Sequence, residues 1–574
     1  MISKLSTLFQ QHSTRKTYLI EFILILGLIL ATILINLRMI RYGISGLGDF
    51  RWHITWIQHF STQLREGIWY PRWLAGTNYG YGSPTFVFYP PLIYYLGSGL
   101  KLLGLNIDQT LAILFSTALF LSGLTFYIFA RHKWGQIPAF IAALCYMTCP
   151  GIISLINGGT LAFLFSAPLI PLGFYLTNKA IHEPKWRIPL SLSWSVLALT
   201  HVPSLLLYTI AWFVYLGFLI RKNNWQSIIL TTLTTGVGFG LVSLYLLPAT
   251  LEKSGVNVEY MKSSRGTFQE KMLDVSQMLS GGLSDIIFKQ LLAVAAFAII
   301  CFFISSRNRE IAKQAGLWLI YVLIVLFFIS EWSWPVWSLS ETLQQVQSSW
   351  RLGFLFYFGQ AALCGLAVKG ILNLRLRYRI FPLVLILTII FANFHFGYKM
   401  TRKFPAINSP GGGEIPLGEW IETALYDPYS EKLVDVPEYV PLLENGNHAP
   451  YPKIDQPKVS LVEGRGDFQI SKWASYQRLI QVNAEEKSLL KVRTYYYPGW
   501  HLYVNDQPED IEVLPDGTMG INIEPGSSLI KLKYQQTPVF QLGILFSILS
   551  VFAFIGFSLI NLRASTKISK HEPN

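Results

Sequence analysis

The stretch GLGDFRWHITWIQHF occupies Gly46 to Phe60 and follows the first apolar run of the chain, Tyr18 to Asn36. A second dense stretch, YPRWLAGTNYGYGSPTFVFYPP, runs from Tyr70 to Pro91. Together they bring an acid, imidazoles, arginines, aromatic rings and glycines into one long segment between apolar runs. We call residues 37–107 the first loop, and the sequence indicates it as the first place to look for chemistry.

The composition is typical of a multi-pass membrane protein. Of the 574 residues, 52% are hydrophobic and only 14% are charged, whereas charged residues make up about a quarter of soluble proteins. The formal net charge is +13, but Lys and Arg occur in short clusters between apolar runs rather than on one face or tail. We therefore expect membrane lipid, and not nucleic acid, as the partner of these charges.

About twelve transmembrane helices are predicted, since a helix needs about 20 apolar residues to cross a bilayer. The run Tyr18 to Asn36 meets that length, and no small-residue cleavage site follows it, so it is predicted to be an uncleaved first helix. The other apolar runs are 108–130, 136–150, 158–178, 188–202, 203–220, 227–248, 286–305, 315–331, 351–370, 380–398 and 538–561.

The basic clusters predict the orientation of these helices. Loops rich in Lys and Arg alternate with loops that are poor in them, and basic loops stay on the cytoplasmic side. Both termini are then cytoplasmic, and the first loop and a large region, 399–537, are extracytoplasmic.

That large region is predicted to be a separate domain. It starts with a Pro- and Gly-rich linker, Phe404 to Gly418, and from about Tyr476 its residues alternate as in strands separated by turns. A small β-sandwich is expected. The predicted organisation is a transmembrane domain, 1–398, an extracytoplasmic domain that is β-rich from about 476, and a final helix with a cytoplasmic tail, 538–574.

Within the first loop, Asp49 to Glu66 has apolar residues at a three-four spacing, which predicts an amphipathic helix along the membrane surface. Asp49 and His53 are four residues apart and share a face of this helix. Asp49 also stands where Asp is a favoured N-cap, and both roles stay open. The aromatic rings between Tyr70 and Tyr89 fit either a membrane-interface belt or a platform for a sugar or lipid.

The predicted topology brings charged residues from distant segments to one side of the membrane. Arg351 and His201 suit a phosphate group, because guanidinium binds oxyanions bidentately and imidazolium donates hydrogen bonds. An interfacial arginine and a helix-end histidine are the structural alternatives. We predict Asp49 as the catalytic residue, and as substrate-binding residues His53, Arg72, His201, Glu252 and Arg351.

Several motifs carry a family resemblance. GDFRWHITWIQHF, LREGIWYPRW and YGYGSPTFVFYPPLIYYL resemble the bacterial membrane family called 6-pyruvoyl-tetrahydropterin synthase-related, near the YfhO-like proteins. LTHVPS at Leu199 to Ser204, QSSWRLGFL at Gln347 to Leu355, and YYPGWHLYVND followed by EPGSSLIKLKY fit the same pattern. A first helix followed by an acid just past the membrane also looks like the GT-C glycosyltransferases.

The resemblance implies a GT-C-like fold in a bacterial plasma (inner) membrane. It implies transfer of a sugar from a polyprenyl-phosphate carrier to a glycan or lipid acceptor, with Asp49 as general base or as ligand of a divalent cation. Many such enzymes place a second acid beside the first, whereas Phe50 follows here, which puts metal dependence in doubt. Pterin synthase activity is not expected, because the ten histidines form no cluster in the sequence. A lipid or glycan transporter and a non-catalytic envelope-assembly protein are the alternatives.

Overall fold

The computed structural model describes residues 2–44, 48–257, 260, 267–274, 283–306, 308–402, 427, 431, 434–443 and 445–569. The predicted linker Phe404 to Gly418 and the start of the GLGDF motif lie outside these residues. In chain order, the helices are α1 Ile2–Tyr42, α2 Phe50–Arg65, α3 Thr85–Phe88, α4 Leu92–Leu102, α5 Ile107–Trp134, α6 Gln136–Met147, α7 Pro150–Asn157, α8 Leu161–Ser166, α9 Leu169–His182, α10 Arg187–Ala198, α11 Val202–Leu219, α12 Trp225–Leu241, α13 Ser243–Leu251, α14 Leu283–Ser305, α15 Arg309–Ile329, α16 Trp334–Trp337, α17 Glu341–Gln344, α18 Gly353–Leu372, α19 Leu376–Arg402 and α20 Pro538–Ser569.

The helical membrane architecture predicted from the apolar runs is confirmed. Within the described residues, 8 helices are long and apolar enough to cross a membrane, and the number reaches 10 if each of two bent pairs counts as one span. The bends are 43° between α6 and α7 and 75° between α12 and α13. The run predicted at 188–202 forms α10, which has only 12 residues, so the count of twelve spans stays a prediction.

A β-rich domain precedes α20. Its strands are β1 Val459–Glu463, β2 Gly466–Ala474, β3 Gln477–Ala484, β4 Ser488–Tyr495, β5 Trp500–Val504, β6 Gln507–Glu509, β7 Glu512–Val513, β8 Thr518–Ile523 and β9 Gly526–Tyr534. They form two antiparallel sheets, in the orders β1-β4-β8-β7 and β2-β3-β9-β5-β6. Inward side chains such as Ile480, Val492 and Ile530 make one common core.

The β-rich part begins earlier than predicted, at Val459 rather than about 476. In β1 and β2, most side chains are exposed or only partly buried. Both are edge strands, which need no regular alternation of apolar and polar residues. The alternation becomes clear only in β3, a central strand.

The first loop lies between the membrane helices and the β-rich domain. Its helix α2 forms as predicted but is buried over nearly its whole length, Phe50 and His53 to Gln63, instead of lying on a membrane surface. The aromatic strip is enclosed as well. Trp73 and Tyr81 belong to the core of the β-rich domain, and Tyr70 and Phe86 to that of the helices, so neither an interface belt nor an open platform describes the strip.

Candidate functional site

The entry to α2 fixes the position of Asp49. The Asp49 N–H donates to the Gly158 carbonyl at 2.9 Å. Gly48 has φ +67°, and a Cβ there would lie 2.3 Å from the same carbonyl oxygen, so only glycine permits this approach. The Asp49 side chain makes no capping hydrogen bond to the helix. The Asp49 carboxylate therefore does not cap α2, contrary to the capping interpretation.

His53 is buried one turn further along α2, with 2% of its surface exposed. The Leu161 N–H donates to its Nε2 at 3.3 Å, and its Nδ1 lies 2.7 Å from the Tyr94 hydroxyl. This assigns the ring proton to Nδ1, which donates to Tyr94. Burial lowers the pKa of His53 to about 3, so the ring is neutral. Because both ring nitrogens have protein partners, the contacts favour a positioning role over direct substrate binding.

Tyr94 in turn lies beside Tyr89, with 5.7 Å between the two ring centres. Tyr89 stands between α3 and α4, and sequence reasoning missed both tyrosines as site residues. Burial, and after it the Asp49 carboxylate, raise the pKa of Tyr89, the Arg351 guanidinium lowers it, and Glu438 raises it further. Two carboxylates and one guanidinium from distant segments therefore act on a single hydroxyl group.

Arg351 and His201, each predicted to bind a phosphate group, are in contact with each other. Arg351 Nη1 lies 3.2 Å from His201 Nε2, and the other Arg351 terminal nitrogen donates to Gln347 Oε1. The His201 Nδ1 lies 2.7 Å from the Ser204 hydroxyl. His201 immediately precedes α11, and burial, with the charge of Arg351, holds its pKa well below the usual value. A neutral His201 is thus an acceptor that orients the guanidinium rather than a second cation.

Arg72 and Glu252 lie where the β-rich domain meets α20. Arg72 Nη2 donates to the Gln535 carbonyl at 3.1 Å, and the guanidinium lies 3.8 Å from the centre of the Phe540 ring. Glu252 accepts hydrogen bonds from Tyr497, at 2.9 Å, and from Thr537. These contacts favour a structural role for both residues, and their predicted binding of substrate stays a prediction.

Asp435 connects the segment that carries Glu438 to the first loop. It is 1% exposed and accepts hydrogen bonds from the Trp56 indole at 2.8 Å and from Thr85. Burial raises the pKa of this carboxyl group. Asp435 thereby fastens residues 434–443 to the first loop. No sequence signal pointed to it, because its partners are more than 300 residues away in the chain.

The described residues do not supply a ligand set for the divalent cation that the resemblance implied. No group of three or more His, Cys, Asp or Glu side chains within them could hold a metal ion, and such sites generally need several oxygen or nitrogen ligands. We derive no step through a metal.

The family can now be stated. The model of the 6-pyruvoyl-tetrahydropterin synthase related domain, described as a membrane protein, matches residues 86–402, which is more than half of the chain. The chain belongs to this family. The match includes Tyr89, Tyr94, His201 and Arg351 but begins after Asp49, so the family's domain contains only part of the candidate site. None of the curated protein sequences matches this family member.

Solved structures of three glycosyltransferases are similar to this family member. Arabinofuranosyltransferase AftD from Mycobacteria has TM-score 0.46 and 13% identity, with 66% of this chain and 27% of that chain covered. The apo oligosaccharyltransferase of Archaeoglobus fulgidus has TM-score 0.46 and 13% identity, with 75% of this chain and 61% of that chain covered. ArnT from Cupriavidus metallidurans, bound to undecaprenyl phosphate, has TM-score 0.29 and 14% identity, with 61% and 78% covered. The chain thus spans about a quarter of the length of AftD and less than two thirds of the length of the oligosaccharyltransferase. At these TM-scores the similarity carries no functional argument, which depends on the site itself.

Proposed function

We propose that this protein transfers a sugar from a polyprenyl-phosphate carrier to a glycan or lipid acceptor on the extracytoplasmic side of a membrane. The observation that supports it is electrostatic: the charges of Asp49, Glu438 and Arg351, from three distant segments, all act on the Tyr89 hydroxyl and shift its pKa. Transfer from a lipid phosphate needs an acceptor for the incoming proton and a cation for the departing oxyanion, and this group offers both.

In the proposed reaction, Asp49 takes the proton of the acceptor hydroxyl. The oxygen of that hydroxyl attacks the anomeric carbon of the sugar. The bond between that carbon and the phosphate oxygen breaks, and polyprenyl phosphate leaves with the electron pair. Arg351 stabilises the charge on the leaving oxygen, since charge-assisted hydrogen bonds are the strongest available. Its bonds to His201 and Gln347 hold the guanidinium in place before the substrate arrives.

The neutral side chains of His53, Tyr94 and Tyr89 also have a role in the proposed reaction. His53 donates to Tyr94, which lies beside Tyr89, so neutral side chains stand behind the Tyr89 hydroxyl. We infer that it donates to the Asp49 carboxylate or to a substrate oxygen and so orients the base. Such preorganised donors avoid reorganisation during the reaction.

The proposal also covers the orientation of the chain in the membrane and its division into domains. Basic loops on the cytoplasmic side of a bacterial plasma membrane give cytoplasmic N- and C-termini. Residues 1–398 then form the GT-C-like transmembrane domain, residues 399–537 the extracytoplasmic domain, and residues 538–574 the final helix and tail.

The direct test is a transfer assay on the purified full-length protein in lipid vesicles. We expect a labelled sugar to leave its polyprenyl-phosphate carrier, with one free polyprenyl phosphate for each acceptor molecule glycosylated. Vesicles without protein are the control. Movement of the intact donor across the bilayer would instead favour the transporter alternative. If neither transfer nor movement occurs with a range of donors and acceptors, the enzyme proposal fails and the envelope-assembly alternative gains support.

A further inference from the structure

A second group of charged side chains lies in the β-rich domain, away from Asp49. We call it the cationic cluster and define it as Lys458, Trp473, Arg478 and Arg493. Lys458 directly precedes β1 and Arg493 lies in β4, in one sheet. Trp473 and Arg478 are directly opposite each other in β2 and β3 of the second sheet. Lys458 Nζ lies 5.6 Å from the centre of the Trp473 ring, so the cluster joins the two sheets.

Arg478 is the unusual member, because its side chain is buried and forms no ion pair with any of the residues that the structure describes. It is 1% exposed, and its guanidinium lies 4.3 Å from the Trp473 ring centre and 5.3 Å from that of Trp500. Its Nη1 donates to the Gln477 carbonyl, but its Nε has no hydrogen-bond partner within the described residues. Burial lowers the pKa of Arg478 to about 9, so the group is still charged at neutral pH. A buried charge of this kind is costly unless a partner compensates it.

The neighbouring charges do not balance Arg478. Arg493 Nη2 lies 2.5 Å from Glu431 Oε2, and Lys458 Nζ lies 3.8 Å from Glu431 Oε1. Arg493 and Lys458 therefore share this one carboxylate in direct contact, and Arg478 has no ion pair of its own within the described residues. Glu66 acts on Arg478 from further away, but its oxygens bind Ser475 at 3.0 and 3.1 Å. The Nε of Arg493 also has no partner within the described residues.

The cluster adjoins the first loop, which carries Asp49. Gly80 has φ +82°, and a Cβ there would lie 2.8 Å from Arg493 Nη2 and 2.9 Å from Glu431 Oε2. A glycine thus lets the loop backbone come against the ion pair. On the open side, the Lys458 side chain is 43% exposed and Trp473 is partly exposed, so a ligand can approach from solvent.

We propose that the cationic cluster is a subsite for an acidic sugar of the acceptor glycan. A carboxylate or phosphate carried on a sugar ring would bind Arg478 and Lys458, because guanidinium and ammonium groups form charge-assisted hydrogen bonds with such oxyanions. The flat apolar surface of Trp473 would take the sugar ring. This inference rests on the proposed function, since it assigns the chemical class of the acceptor.

Binding to the full-length protein in detergent tests the proposal without requiring any transfer. The probes are a glucuronate-containing oligosaccharide, the same oligosaccharide with glucose in place of glucuronate, and a sugar phosphate. We expect at least one acidic probe to bind roughly tenfold or more tightly than the neutral probe, as is typical of one charge-assisted contact. The tighter acidic probe identifies the anion as carboxylate or phosphate. Equal binding of acidic and neutral probes would overturn the proposal.

Variants locate the binding. Lys458→Gln removes an exposed charge and should weaken acidic-probe binding roughly threefold to tenfold. Arg478→Lys keeps the positive charge but removes the paired N–H donors of the guanidinium group. It should weaken acidic-probe binding at least as much as Lys458→Gln does. Lys487→Gln, at a side chain 72% exposed in the same domain, is the matched control and should have no effect. An equal loss in the control, or no loss in Lys458→Gln, would contradict the assignment. Asp49→Asn should bind the probes normally, so a failure of catalysis is distinguishable from a failure of this subsite.

Discussion

Replacement of Asp49 by Asn is expected to lower the rate of sugar transfer by roughly 10²–10⁴-fold, the usual contribution of a general base. Asn has nearly the same shape as Asp but cannot take the proton from the hydroxyl group of the acceptor substrate. The change should not unfold the protein, because the Asp49 side chain makes no capping hydrogen bond to α2 and its backbone bond to Gly158 is retained. Initial rates in vesicles, divided by the amount of folded protein, measure the effect.

A matched control is Asp467→Asn, which removes an exposed carboxylate from β2. This variant should transfer at the wild-type rate and unfold at the same temperature. If Asp49→Asn also keeps the wild-type rate, Asp49 is not the base, and the account of the site loses its main residue.

Replacement of Trp73 by Ala is expected to give the largest loss of stability. Trp73 is fully buried, and its ring centre lies 5.8 Å from that of Trp500 and 5.6 Å from that of Tyr534. A buried Trp→Ala change typically costs about 3–5 kcal/mol through lost burial and the remaining cavity. Because Trp73 belongs to the first loop and its partners to the β-rich domain, the variant should loosen the attachment between them.

Thermal unfolding in detergent and limited proteolysis measure this loss. We expect a lower unfolding temperature and faster cleavage of the β-rich domain from the helices. Trp69→Ala is the control, since Trp69 is 58% exposed and should change either measurement only slightly. An unchanged unfolding temperature in Trp73→Ala would show that this interface does not hold the domain.

The sequence predicted those elements whose signal is local. The apolar runs 108–130 and 351–370 became α5 and α18 because length and hydropathy alone define a membrane helix. Helix α2 was predicted from its three-four spacing, but its burial was not. The aromatic residues Trp73 and Tyr81 show why: the same rings suit a membrane interface and a protein core, and only the distant β-rich domain decides between them.

The residues of the candidate site likewise divide into those that the sequence predicted and those that it did not. The topology placed His201 and Arg351 at helix ends on one side of the membrane, but the contact between them is shown only by the structure. Tyr94 and Tyr89 were not predicted as site residues, since a tyrosine among many aromatic residues carries no separate signal. Asp435 was missed for a different reason, as its hydrogen-bond partners become neighbours only in the fold.

A double-mutant cycle between Asp49 and Arg351 tests most directly whether these two residues form one catalytic site. The quantity measured is kcat/KM for sugar transfer in wild type, Asp49→Asn, Arg351→Gln and the double variant. Residues that act together on one transition state have strongly non-additive effects. We predict that the double variant is little slower than Asp49→Asn alone. Losses in kcat/KM that multiply as independent factors would contradict a shared site.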